Sequence, residues 1–207
     1  MPLVRSHSEK PGVDHAEGDP RAALLSGSAE ERWTAARRIA RARAGAPLLA
    51  EALGLEKDPR VREAIFTGLA GIATPESVLA ILPHLRSDEA NLRTGALDAL
   101  RMMPDATRPH MKTLLGDPDP DVRLLACDLL RGQSAVEATQ MLIALLETEP
   151  EPNVCAAAVD VLAEVGEAPA IPSLMLCADR FPSDPFLSFA IKQVIERLRP
   201  PATLAGG

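Results

Sequence analysis

The sequence has no tyrosine, one tryptophan and four phenylalanines among its 207 residues. A core without large rings must be built from Ala, Leu, Val and Ile at close helix-to-helix approach, since strand-rich folds usually need more aromatic and β-branched residues. Cysteine is scarce as well. Cys127, Cys155 and Cys177 are an odd number with no CxxC spacing, the usage expected of a reducing cytoplasm. No window approaches 18 uninterrupted apolar residues, and Met1 to Pro20 has no apolar h-region. Neither a membrane span nor a signal peptide is therefore expected. Positive charge is in deficit, with 22 Lys and Arg against 29 Asp and Glu for a net charge of −7. That balance argues against a nucleic-acid binder, whose affinity comes mostly from neutralising phosphates. The chain also lacks G-x-x-x-x-G-K-[ST], GxGxxG after a strand, GxSxG and HExxH, which removes most common routes to catalysis.

What is present is a repeat. An apolar residue, often followed by Arg, recurs with apolar residues at +4 and +8. It reads Val61-Arg62 with Ile65 and Leu69, then Leu92-Arg93 with Ala96 and Leu100, and Val122-Arg123 with Ala126 and Leu130. Val154-Cys155 follows with Ala158 and Leu162, and Leu187-Ser188 with Ile191 and Ile195 is a weaker copy. Glu31-Arg32 with Ala35 and Ile39 opens the series, Glu31 breaking the apolar rule. The starts at 31, 61, 92, 122, 154 and 187 are 30 to 33 residues apart. Each copy has helical period.

Local signals agree with helix boundaries at these places. Asp58-Pro59, Asp119-Pro120 and Asp184-Pro185 sit just before an apolar start. Asp caps a backbone N–H, and Pro at the first helical position gives up an amide that would have no partner anyway. Ser28 with Glu31 reads as a capping box, and Gly45, Gly71, Gly132 and Gly166 are expected helix stops. A shorter apolar helix precedes each copy, over Arg21–Leu25, Pro47–Leu55, Pro75–Leu85, Asp105–Leu115, Ser134–Leu146 and Pro169–Cys177. The unit is thus helix A, a tight turn, then helix B. One pair cannot bury its own apolar face but stacked pairs can. Alanines on the B helices (Ala35, Ala64, Ala96, Ala126, Ala157) suit close stacking. The predicted fold is all-α: an α-solenoid of about six two-helix repeats over residues 19–199, flanked by disordered tails at 1–18 and 200–207.

The spacing and the Asp58-Pro59-Arg60-Val61-Arg62 and Asp119-Pro120-Asp121-Val122-Arg123 turns resemble HEAT repeats, and within them the phycobilin-lyase (PBS-lyase) HEAT-like subclass. The resemblance implies a scaffold that binds another protein or peptide through the concave face lined by its B helices. It also implies, as the alternative, a bilin lyase-like enzyme subunit or chaperone. Iron hydroxylases of this family carry His-Glu pairs, whereas His7, His15, His84 and His110 are not followed by Glu. The expectation is therefore no catalytic residue, no metal, no cofactor, no nucleic acid and no membrane partner, in a cytoplasmic monomer or weak dimer.

Two rows of residues stand out. Arg32, Arg62, Arg93 and Arg123 share one repeat position, four residues after Ser28, Asp58, Glu89 and Asp119. This row is read as structural, ordering the stack through neighbouring turns or carboxylates. Residues two, six and nine or so after each start share the opposite helical face. They include Trp33, Arg37, Glu63, Thr67, Asp98, Arg101, Leu124, Asp128, Arg131 and Asp160. This row reads either as a partner-binding groove with a basic end (Arg37, Arg38, Arg41, Arg43) and an acidic middle, or as a solvated face with Asp98–Arg101 and Asp128–Arg131 pairs. The cysteines read as buried structural thiols, with Cys127 and Cys155 on adjacent repeats able to approach one another.

Overall fold

The computed structural model describes residues 19–199 and shows helices, with no strand among them. The two expected tails, 1–18 and 200–207, lie outside the described residues. Six helical pairs follow one another. The A layer consists of α1 (Pro20–Ser26), α3 (Ala46–Leu55), α5 (Pro75–Ile81), the short α7 (Pro104–Thr107) and α8 (Met111–Leu115), α10 (Ala135–Thr148) and α12 (Ile171–Arg180). The B layer consists of α2 (Ala29–Ile39), α4 (Pro59–Ile72), α6 (Ala90–Arg101), α9 (Pro120–Leu129), α11 (Pro152–Val165) and α13 (Pro185–Leu198). Each B helix packs on the next, α2 on α4 through to α11 on α13, and A helices pack likewise, as α1 on α3 and α3 on α5. This translational order makes the molecule a solenoid.

The caps act as their chemistry requires. Asp58 accepts from the Arg60 and Val61 amides, Asp119 from Asp121 and Asp184 from Leu187, with Pro59, Pro120 and Pro185 opening the helices. Ser28 and Glu31 close a reciprocal capping box. The core takes the +0, +4 and +8 residues: Val61, Ile65, Leu69, Val122, Ala126, Leu130, Val154, Ala158 and Leu162 are all buried. Leu92, Ile39 and Ile195 are only half-buried, and Glu31, spent on its cap, is exposed.

Two boundary expectations fail for identifiable reasons. Gly71 lies inside α4, which runs on to Ile72 and stops at Ala73 in the left-handed conformation (φ 50°). Gly45 belongs to a 3-10 turn that opens the second A helix, well past the end of α2 at Ile39. The A helices are also less continuous than their periodicity implies. Pro109 sits in a 3-10 turn, Arg108–His110, that divides α7 from α8, and Pro83 in another, Leu82–Arg86, that extends α5. An interior proline removes one helical hydrogen bond and clashes with the carbonyl four residues back. Close approach of B helices is visible at Gly95 of α6, where a Cβ would stand 2.8 Å from the Phe66 ring of α4.

Candidate functional site

Two arrangements grow out of the B helices: a set of pins at one edge of the stack and an exposed face. The pins begin with the arginine row. Arg32 donates from Nε and Nη2 to Glu56 at 2.7 and 3.0 Å and from Nη1 to the Gly27 carbonyl at 2.8 Å. Arg123 does the same, to Glu149 at 2.8 and 2.7 Å and to the Asp117 carbonyl at 2.8 Å. Each guanidinium thereby ties the A–B turn of its own repeat to a carboxylate in the A–B turn of the next. Arg62 reaches the Glu56 carbonyl at 2.7 Å and the Glu89 carboxylate at 2.6 Å. Arg93 donates to the Ser87 carbonyl at 2.6 Å, while Arg86 pairs with Asp117.

Glu89 is exposed, but the other three receiving carboxylates are buried: Glu56 8%, Asp117 5% and Glu149 3% exposed. Each also accepts the amide of the cap residue two positions on, Asp58, Asp119 and Glu151, at 2.8 to 3.0 Å. Burial alone would push the Glu149 carboxyl up, but Arg123, the Glu151 amide and Arg180 outweigh it, and the net shift is downward. Glu56 follows the same logic, burial opposed and overcome by Arg32 and the Asp58 and Lys57 amides. Sequence reading missed these acceptors. Their signal was present as an acidic or polar residue two before each cap: Glu56, Ser87, Asp117 and Glu149.

In the fifth repeat Cys155 stands where the arginine stood. Its thiol lies 3.7 Å from the Glu149 carbonyl, and Arg180 of α12 supplies the missing guanidinium, donating to the Leu146 and Glu147 carbonyls at 2.7 and 3.0 Å. The Cys155 thiol also interacts with Cys177, and that interaction together with burial pushes it up. Burial pushes the Cys127 thiol up to about 12. His84 packs edge-on against Phe66 with ring centroids 6.1 Å apart, and burial, helped by Arg62, holds its imidazole below the usual value.

The second row faces outward, but not uniformly. Glu63, Thr67, Asp98, Arg101, Asp160 and Arg37 are exposed, whereas Trp33, Asp128 and Arg131 are half-buried and Leu124 packs partly into the core. From repeats three to five the charges close on themselves. Arg101 holds Asp98 at 2.7 Å and Asp128 at 2.5 Å. Arg131 holds Asp128 at 3.2 Å, Asp160 at 2.5 Å and also Glu164. The acidic line expected across these repeats is thus a ladder of alternating sign, joining α6, α9 and α11.

At the other end the same face is indented. A groove of about 540 Å³ between α2 and α4 is lined by Trp33, Arg37, Arg60, Glu63 and Thr67 over a floor of Ala40, Ala64, Gly68 and Gly71. A second, of about 440 Å³ between α4 and α6, shares Glu63 and Thr67 and adds Thr94, Asp98 and Met102. In the first, the Arg37 guanidinium lies 4.5 Å over the Trp33 ring. Among the described residues no three His, Cys, Asp or Glu converge as a metal site would need, and no helix is long and apolar enough to cross a membrane.

Residues 108–186 match the family model for HEAT repeats. No curated protein matches the chain. Among solved structures, an engineered protein is 19% identical over 86% of this chain and 94% of its own, with a TM-score of 0.43. The designed armadillo repeat protein YIII(Dq)4CqI is 16% identical over 87% and 98%, with a TM-score of 0.41. The complex of CpcE and CpcF of phycocyanin lyase from Nostoc sp. PCC7120 is 15% identical over 94% and 100%, with a TM-score of 0.38.

Proposed function

We propose that this chain, whose residues 108–186 match HEAT repeats, is a non-catalytic scaffold, which captures a protein or peptide on the outward, concave face of its B helices. The observation that carries this reading is the pair of contiguous grooves on that face, set in a stack whose turns are pinned across repeats. A surface fixed before the partner arrives loses little conformational freedom on binding. The face also offers Trp33 and Arg37 together, residue types favoured as binding anchors. A bilin-lyase role has no residue-level observation in its favour.

Site-specific photo-crosslinking in cells tests the assignment. A photoreactive residue at Thr67 or Thr94, both exposed on the B face, is expected to capture a partner. The same residue at Gln140, exposed on the A layer, is expected to capture none. Crosslinks from Gln140 alone would overturn it.

A further inference from the structure

We propose that the groove between α2 and α4 takes a short, extended acidic segment of the partner, with carboxylates on Arg37 and Arg60 and an apolar side chain against Trp33. This rests on the scaffold reading and adds the chemistry of what is captured. The first argument is charge. The chain carries a net charge of −7, yet no acid lies between Arg32 and Glu51, a stretch that contains Arg37, Arg38, Arg41 and Arg43.

The second is how those charges are engaged. On the same face, Arg101 and Arg131 are each held by two or more carboxylates. Arg37 instead stacks on Trp33, and among the described residues the Arg60 guanidinium pairs with the exposed Glu30 alone, at 4.0 Å. Exposed contacts of that kind are weak, so these two guanidiniums are available to an incoming carboxylate, and Arg offers it a bidentate fork.

The third is the floor. Gly71 is exposed in the last turn of α4, and a Cβ there would meet nothing within 4 Å. Neighbouring side chains therefore do not require glycine at this place. Its bare backbone leaves the groove open to close approach by another chain.

The length and kind of occupant follow from what lies beyond. Glu63 stands between the two grooves, and Glu89 and Asp98 line the second. A long polyanion running along the face would be repelled there. A few carboxylates followed by uncharged residues would not. This favours an acidic peptide over a nucleic acid.

Trp33 is the sole tryptophan and so a built-in probe. The full chain is titrated with the synthetic peptide EELEAA, its glutamine counterpart QQLQAA and a single-stranded oligonucleotide, following Trp33 emission. The expected result is a saturable change with EELEAA that weakens with salt and is absent with QQLQAA. Arg37→Glu is expected to raise Kd roughly tenfold, the loss of one good anchor. Gly71→Leu fills the groove without altering charge and is expected to raise it about fivefold while thermal unfolding stays intact. Equal binding of both peptides, tighter binding of the oligonucleotide, or no response to EELEAA would each overturn the proposal. If B-face crosslinking at Thr94 persists while EELEAA fails, the acidic-segment inference falls and the scaffold reading stands. Loss of B-face crosslinking sinks the scaffold reading itself.

Discussion

Glu149→Ala probes the pins most sharply. Its side chain is 2% exposed and accepts two hydrogen bonds from Arg123, whose side chain is 12% exposed. Removing one partner of a buried ion pair costs about 3–5 kcal/mol because the other charge is left uncompensated. Here Arg123 keeps the Asp117 and Pro118 carbonyls, and the pair lies in a turn at the edge of the stack, so about 2–3 kcal/mol is expected. The loss falls between the fourth and fifth repeats. In a solenoid, stability is close to a sum of repeat and interface contributions, so weakening one interface should also divide the unfolding transition. Urea unfolding followed by both far-UV circular dichroism and Trp33 fluorescence reads this directly, since Trp33 reports the first repeat and dichroism the whole chain. The variant is expected to show non-coincident transitions, with helicity lost before Trp33 responds. A control at the exposed partner, Glu51→Ala, which pairs with Arg21, should cost less than about 1 kcal/mol. A Glu149→Ala cost no larger than the control, with coincident transitions, would refute the pinning argument.

Other outcomes follow from the same geometry. Ala73→Gly relieves a left-handed residue at the end of α4 and should stabilise the fold by about 0.5–1 kcal/mol, read as a rise in Tm. Gly95→Ala forces a methyl to within 2.8 Å of the Phe66 ring and should destabilise by about 1–2 kcal/mol in urea unfolding. Glu56 and Glu149 have folded pKa values below the 4.5 of a free carboxylate. The stability they contribute is therefore fully present above about pH 4.5 and is lost as pH falls through the folded values. Urea midpoints measured between pH 7 and pH 3 should decline in that lower range, and Glu149→Gln should flatten part of the decline.

Much of the fold is legible in the sequence because the signals are local. Helical period, Asp-Pro caps and the recurring arginine all lie within one repeat, and they locate six pairs. What is not legible depends on register between repeats. Arg32 and Arg123 are visible as a row, but their acceptors Glu56 and Glu149 lie 24 and 26 residues further on. The Asp98–Arg101 and Asp128–Arg131 pairs within a repeat are legible from their spacing, whereas the bridges from Arg101 to Asp128 and from Arg131 to Asp160 show only when α6, α9 and α11 are set side by side. Reversing those three charges would therefore disturb the stack as well as any partner, so such a variant cannot report binding alone. Likewise Cys155 of α11 interacts with Cys177 of α12, a pairing that spacing does not encode. The stop of α4 at Ala73 instead of Gly71 is a tertiary override: Ile72 is 5% exposed, and its burial extends the helix past the glycine.

Pulsed electron–electron distance measurements test the stacked architecture most directly. Spin labels are placed in pairs at Glu63, Thr94 and Ala156, exposed residues at one position of α4, α6 and α11. With packed helices about 8–10 Å apart, Glu63→Cys with Ala156→Cys spans three repeats and is expected to give a narrow distribution near 24–30 Å plus the label tethers. Thr94→Cys with Ala156→Cys should be shorter by one repeat spacing. Distances that fail to grow with repeat number, or broad distributions at both pairs, would contradict the ordered stack on which every surface assignment depends.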